Sequence, residues 1–425
     1  MAARPIVFAQ SFAFGAPTDR LEIISMIYSY RYGLALGIVL HTANALPPYN
    51  ITTTYKVWFT HQSQHTSLIK WLEMFTLCLA PLITHIAFGL AKQVIIGSKG
   101  PTWCDQIGLF NPVSIVWRYY AIADRRWRAK HWDEADMAAS NSIFWDGKQF
   151  DGSEAMMVRS RDWITTLLSH HHVEILSGSA LASLAITIQG VQAIVFIAAT
   201  FTHTDPNAIV HRQDGLPYIF QVLAIVGLLR LPAAFWISSD YGYAKLDQWE
   251  ELTDPVEADE AEAELQNTVA MRLSYPNSQR GVYYRIWWAL SMLFIMGISL
   301  RALITGFFSL IGNRPALIYS STTGLLYHCF YTILSAGCLI IHWVYIFTGY
   351  SGSTVIPCMN SLWYKGYTIL LWGLGILCVL VASIETRIAI DGSYTTYPEV
   401  RCDMNGVCHP ISAYIIYTNA SSGSG

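Results

Sequence analysis

The sequence predicts an all-α integral membrane protein, a polytopic helical bundle of about seven transmembrane helices, N-terminus inside and C-terminus outside. Three observations predict it. Hydrophobic residues make up 53% of the 425 residues and charged residues only 13%, against roughly 25% charged in an ordinary soluble domain. The apolar residues fall in runs of about 20, the length that crosses a hydrocarbon core of about 30 Å. Lysine and arginine gather in alternate loops, which orients the runs.

Bounded by charge or turn residues, the runs are 21–45, 68–94, 177–201, 217–238, 284–312, 324–348 and 366–389. Residues 1–20 read as a cytoplasmic tail or interfacial segment rather than a cleaved signal, since Pro5, Gln10 and Ser11 interrupt their apolar stretch. Segment 105–122 carries Asn111-Pro112, Arg118 and the aromatic residues Trp117, Tyr119 and Tyr120; it reads as an amphipathic helix lying on the membrane surface.

The loop 95–176 holds Lys99, Arg118, Arg125, Arg126, Arg128, Lys130, Lys148, Arg159 and Arg161, and the loop 239–283 holds Lys245, Arg272 and Arg280. The opposite loops carry only Lys56, Arg212 and Arg314. The basic loops are therefore expected in the cytoplasm. Residues 390–420 become a lumenal or extracellular tail, and 421–425 read as an appended linker. The glycosylation triplet Asn50-Ile51-Thr52 falls outside, as do Cys402 and Cys408, whose spacing suits a disulfide in an oxidising compartment. The other six cysteines are expected as free thiols.

A net charge of −3 and the lack of a basic tract argue against a nucleic-acid partner; the lipid bilayer is the partner the composition demands. The acidic run from Glu250 to Glu264 reads as a solvated helix or disordered loop. His170-His171-His172 with Glu174, and the pair His61 and His65, fall on opposite sides of the membrane, which argues against a di-iron centre. Asp133-Glu134-Ala135-Asp136 lies in a basic loop and reads as salt-bridged. The sequence carries no P-loop, G-x-S-x-G elbow or G-x-G-x-x-G fingerprint, and neither of the acidic motifs of soluble prenyl-chain enzymes and cyclases. No metal and no other cofactor is expected. No internal repeat is visible, against transporter folds built from duplicated halves.

Ionisable groups inside spans are costly in lipid and mark function by default. Glu73, Arg301, His328 and Glu385 share the outer layer of the expected bundle and are the catalytic candidates. The structural alternative is that each glutamate pairs with a cation or reaches the interface from near its span end. Trp236, Trp287, Trp288, Tyr327, Tyr331 and Trp343 are the candidate substrate-binding residues, able to line an apolar cavity that holds a carbocation against ring faces. Taken singly, each also fits an interfacial aromatic belt.

The seven-span layout, the aromatic spans, the pair Glu73 and Glu385, and the phrase from Leu231-Pro232-Ala233-Ala234-Phe235-Trp236 into Asp240-Tyr241-Gly242-Tyr243 together resemble the fungal membrane-bound terpene cyclases of meroterpenoid pathways, the class that includes the macrophorin and ascochlorin-type enzymes. The resemblance is one of architecture. It implies an isomerase-type reaction of secondary metabolism in the endoplasmic reticulum membrane. A carboxylic acid would protonate an olefin or epoxide of a lipophilic prenylated phenol or quinone, and the cation would cyclise and lose a proton, with no metal or redox cofactor. Independently of the name, a carboxyl enclosed near lipid stays neutral and can donate.

Two other functions fit the same spans: an inverted-topology seven-helix receptor or scaffold, with the long loops as signalling surfaces, and a channel or transporter with the interior charges as its path. A closed aromatic cavity walled by an acid favours the cyclase, a continuous polar pore favours transport, and a solid core with shallow pockets favours the scaffold.

Overall fold

A computed structural model describes residues 55–59, 61–63, 66–96, 99–167, 170–174, 176–202, 215–244, 255–300, 318–350, 352–389, 392, 394–396, 400–402, 408–410 and 414–418, all in the unit formed by Thr53–Gly425. The expected first span, Asn50 and Arg301 lie outside the described residues.

Strand β1 (Tyr55–Phe59) precedes helix α1 (Leu68–Gly89). The buried residues of α1 are Met74, Cys78, Pro81, His85 and Gly89, one stripe at helical spacing. Leu68, Ile69, Leu72, Leu77, Ile83 and Phe88 cover the rest of its circumference and are exposed. A helix that is apolar all round and packed along one stripe has lipid as its remaining neighbour.

Strand β2 (Lys92–Ile95) follows, then α2 (Trp103–Gln106), α3 (Pro112–Arg128), α4 (Glu134–Asn141), β3 (Ser142–Trp145), β4 (Phe150–Asp151), α5 (Glu154–Arg159) and β5 (Ile164–Thr166). β2 pairs in parallel with β3, and β3 in antiparallel with β4. β5 pairs in antiparallel with β6 (Gly242–Tyr243). The long segment read as a loop is thus a folded module.

The remaining helices are α6 (Gly178–Thr202), α7 (Gln221–Gly227) flanked by 3-10 turns over Leu216–Tyr218 and Leu228–Ala233, α8 (Pro255–Arg272), α9 (Gln279–Ser299), α10 (Thr322–Phe347) and α11 (Leu362–Glu385). Among the described residues, six segments are long and apolar enough to cross a membrane: α1, Gly178–Phe196, Leu216–Ala233, Gln279–Ile298, α10 and α11. The protein is a helical membrane protein with few strands. Boundaries move where local chemistry ends or begins a helix. α9 starts at Gln279, earlier than expected, because the Ser278 hydroxyl accepts from the Gly281 amide and caps it. The acidic run read as a helix or loop contributes to α8, beginning at Pro255.

The surface helix expected over 105–122 is corrected by α3. Its residues from Val113 to Ala123 are buried around the whole circumference. The polar groups that made it look interfacial have internal partners instead. The Asn111 amide donates to Thr368 Oγ1 at 2.8 Å, the Ser114 hydroxyl donates to the Gly108 carbonyl at 2.7 Å and lies 2.7 Å from the Tyr364 hydroxyl, and Arg118 donates to backbone carbonyls. A polar helix enters a core when each polar group finds a partner there.

At the other end of the chain, β7 (Ile318–Ser321) pairs in parallel with β1, and β12 (Tyr414–Thr418) pairs in antiparallel with β1, in the order β12-β1-β7. Between them β8 (Arg387–Ile388) pairs with β9 (Tyr394–Thr395), and β10 (Val400–Cys402) with β11 (Cys408–Pro410).

Candidate functional site: the charged helix α3

α3 carries Arg118, Asp124, Arg125 and Arg128, all buried. Arg128 Nε donates to Asp124 Oδ2 at 2.8 Å, Nη1 donates to the Ser274 carbonyl at 2.8 Å, and Nη2 pairs with Glu154 at the start of α5. Arg125 Nη2 bridges the carbonyls of Gly152 and, at 2.9 Å, Gly352. A Cβ on Gly152 would lie 2.2 Å from Thr354 Oγ1 and 2.9 Å from the Val355 amide, so only glycine permits this approach.

Arg118 has a different role. Its Nη1 donates to the carbonyls of Gly89 at 2.7 Å and Leu90 at 2.9 Å, and Arg230 Nη1 donates to that of Phe88 at 2.6 Å. The last carbonyls of a helix have no intrahelical donor and carry the negative end of its dipole. Two guanidinium groups therefore cap α1. Beside Arg118 is a cavity of about 20 Å³, walled by Gly89, Ser114, Ile143 and Thr354 among others, room for about one water molecule.

Burial sets the electrostatics. It pushes the Asp124 carboxyl up to about 6, opposed by the Arg128 guanidinium. It lowers Arg118 and Arg125 to about 10 each. Against the same cost, Asp124 and Glu154 hold Arg128 above its ordinary value. Rings close over this layer: Tyr120 stacks on Tyr284 at 5.8 Å, lies 5.5 Å from Trp288 and 5.3 Å from Trp117, and Trp117 lies 5.4 Å from His342. Among the described residues, Asp124 Oδ1, the Tyr284 hydroxyl and Trp288 Nε1 have no hydrogen-bond partner.

A second network ties the module together. Asp133 and Asp136 form a capping box at the start of α4 and share Arg161 and Arg272. Arg161 reaches Asp133 at 2.7 Å and also pairs with Asp136, and Arg272 reaches Asp136 at 2.8 Å. The acidic motif is a salt-bridged one, linking the end of α8 to α4.

The residues singled out from sequence have separate partners. Glu73 is 44% exposed and pairs with Lys70 at 2.8 Å. Glu385 is buried, and its Oε2 accepts from the Thr323 amide at 2.8 Å and the Thr323 hydroxyl at 2.7 Å, closing the first turn of α10. His328 is half-buried against Tyr327 at 5.5 Å. Tyr327 meets Tyr331 at 4.7 Å, and the Tyr331 hydroxyl donates to the Ile219 carbonyl. Trp343 packs on Phe347, and Trp236 lies under Arg126. Trp288 is buried while Trp287 is 48% exposed, because successive side chains on a helix diverge by about 100°. The described contacts distribute these six aromatic residues over several packing groups. Cys402 lies directly opposite Cys408 in the β10–β11 register.

Asp124, Arg128 and Glu154 were not singled out from sequence. One signal was present, the acid and base four positions apart on one helix; Glu154 had none. No group of three or more His, Cys, Asp or Glu among the described residues is placed to hold a metal ion. Comparison with protein-family models, with curated proteins and with solved structures finds no match.

Proposed function

We propose that the chain is a membrane scaffold of receptor type, seven spans oriented N-in and C-out in the endoplasmic reticulum membrane, holding a rigid module on the cytoplasmic side. The observation that supports this most is the use of its interior charges. Arg128 joins α3 to α5 and to the segment after α8, and Arg125 joins α3 to the turn between β4 and α5 and to the loop between α10 and α11, 227 positions away. Buried charges cost several kcal/mol per ion to desolvate, and in this reading they are retained here because they fix one arrangement of α3 against its neighbours. In this reading the same contacts tie the spans and the module into one unit, a fixed surface for a partner to dock on.

A second reading, the membrane terpene cyclase, is favoured by Asp124. One of its oxygens is held by Arg128, the other has no partner among the described residues, and the rings of Tyr120, Tyr284 and Trp288 gather at the same layer. In that reading Asp124, not Glu73 or Glu385, protonates the olefin or epoxide of a prenylated phenol or quinone.

One experiment separates the two. Membranes containing the chain are incubated with farnesylated phenols and their epoxides and assayed by mass spectrometry, while in-cell crosslinking records protein neighbours. The scaffold predicts unchanged substrates, and neighbours that are lost when Glu154→Ala breaks the junction in a chain that still reaches the membrane. A cyclised product that requires the chain and falls at least about a hundredfold in Asp124→Asn replaces the scaffold with the cyclase.

A further inference from the structure

We propose that the groove between α6, the Leu228 turn and α9 is a binding site for one anionic phospholipid, with an acyl chain in the groove and the phosphate at Arg280. The groove encloses about 390 Å³ and is walled by Ile194 and Leu228 on one side and by Trp287, Leu290, Phe294 and Ile298 of α9 on the other. Apart from Ser291 its lining is apolar. It belongs to three of the membrane-spanning segments, so the bilayer is the solvent that fills it.

Its register along α9 points to a lipid with a charged head. Arg280, Trp287, Ser291, Phe294 and Ile298 follow one another at steps of seven, four, three and four. At 100° per residue all five lie within about 40° of one line along the helix. The groove therefore runs up to Arg280, about 10 Å above Trp287 at 1.5 Å per residue. Arg280 is exposed in the first turn of α9, where the amides and the helix dipole also favour an anion.

The surroundings of Arg280 have the same character. Lys130 donates its backbone N–H to the Arg272 carbonyl at 2.8 Å, and Ser274 donates to that of Arg128 at 2.9 Å. This pairing lays Lys130 beside the segment that leads into α9. Trp127 packs 6.4 Å from Tyr284 of α9. Trp127, Lys130, Tyr275 and Tyr283 are all exposed. The exposed face thus passes from basic to aromatic to aliphatic, the sequence met on going from headgroup through interface to hydrocarbon. Lys130 Nζ donates to the Ala270 carbonyl at 2.6 Å, which leaves Arg280 as the headgroup partner; a zwitterionic lipid brings its phosphate with a cation of its own beside it, whereas an anionic one offers Arg280 an uncompensated charge.

The test uses the full-length protein in a neutral detergent, with native mass spectrometry reading the lipid retained. Phosphatidic acid is compared with phosphatidylcholine of the same acyl chains. The wild type is expected to retain phosphatidic acid preferentially. Arg280→Gln should cut that preference about fivefold, the effect of one cation near a membrane surface, and Arg280→Lys should restore most of it. Ser291→Trp, and separately Leu228→Trp from the facing wall, should reduce retention of both lipids, with helical content by circular dichroism confirming that at least one of the two is folded. Inorganic phosphate should not compete. Equal retention in the wild type, Arg280→Gln and the folded groove variant would mean annular lipid only and overturn the site. Absence of retained lipid in the wild type would overturn it as well, leaving the groove to another part of the chain.

Discussion

Asp124 and Arg128 stand one turn apart on α3 and form an ion pair in which neither side chain has any exposed surface. Glu154 adds a second carboxylate to the same guanidinium, and Arg125 interacts electrostatically with both acids. Arg285 acts on Asp124 and Asp151 on Arg125, so acids and bases are matched in number across the cluster, and it can be buried as a whole.

Removing one member breaks that balance. Arg128→Met is expected to destabilise the protein by about 3 to 5 kcal/mol, since it takes from Asp124 and Glu154 the guanidinium that bonds them both and leaves them in excess of the nearby bases. Denaturation in detergent, followed by tryptophan fluorescence, measures it. A loss under about 0.5 kcal/mol, the size of a surface substitution, would show that the pair contributes little.

Asp124 also sets a pH dependence. Burial raises it to about 6 in the folded protein, against about 3.9 in an unfolded chain. Between these values the folded state keeps a proton that the unfolded state has released, so this contribution is complete below about pH 4, is lost as pH rises to about 6, and is flat above. The loss is on the order of 2 to 3 kcal/mol. Melting temperatures from pH 4 to 7 should show the slope in the wild type and lack it in Asp124→Asn; the same slope in both would exclude Asp124 as its source.

Glu385 and Glu73 should differ sharply. Glu385→Ala leaves the Thr323 amide and hydroxyl buried without an acceptor, at about 1 to 3 kcal/mol. Glu73→Ala removes an exposed pair and should stay within about 0.5 kcal/mol. Equal effects would contradict the placement of Glu385 as a cap.

The β10–β11 register sets Cys402 against Cys408, and the proposed outside location would supply the oxidant. Non-reducing mass spectrometry of intact protein should find them linked. Two alkylatable thiols there would place the tail in a reducing compartment, and with it reverse the proposed orientation.

What was legible in the sequence is the part governed by periodicity and length. The run 177–201 and α6, 324–348 and α10, and 366–389 and α11 differ by only a few residues. α3 was misread because arginines on a short apolar stretch look the same whether they meet headgroups or internal carbonyls. The decision lies with Gly89, Leu90 and Gly352, residues distant in sequence that supply those carbonyls. Glu385 stands out in the sequence as an acid near a span end, yet its partner Thr323 lies 62 positions earlier, in the first turn of another helix. Long-range pairing of this kind has no local signature.

The pairing of β1 with β12 has a consequence for the timing of synthesis. Tyr55 aligns with Thr418, so β1 is made long before its antiparallel partner and waits for it while the spans between them are synthesised. Meanwhile it holds an open strand edge, a template for unwanted pairing. Premature termination before Tyr414 leaves that edge open.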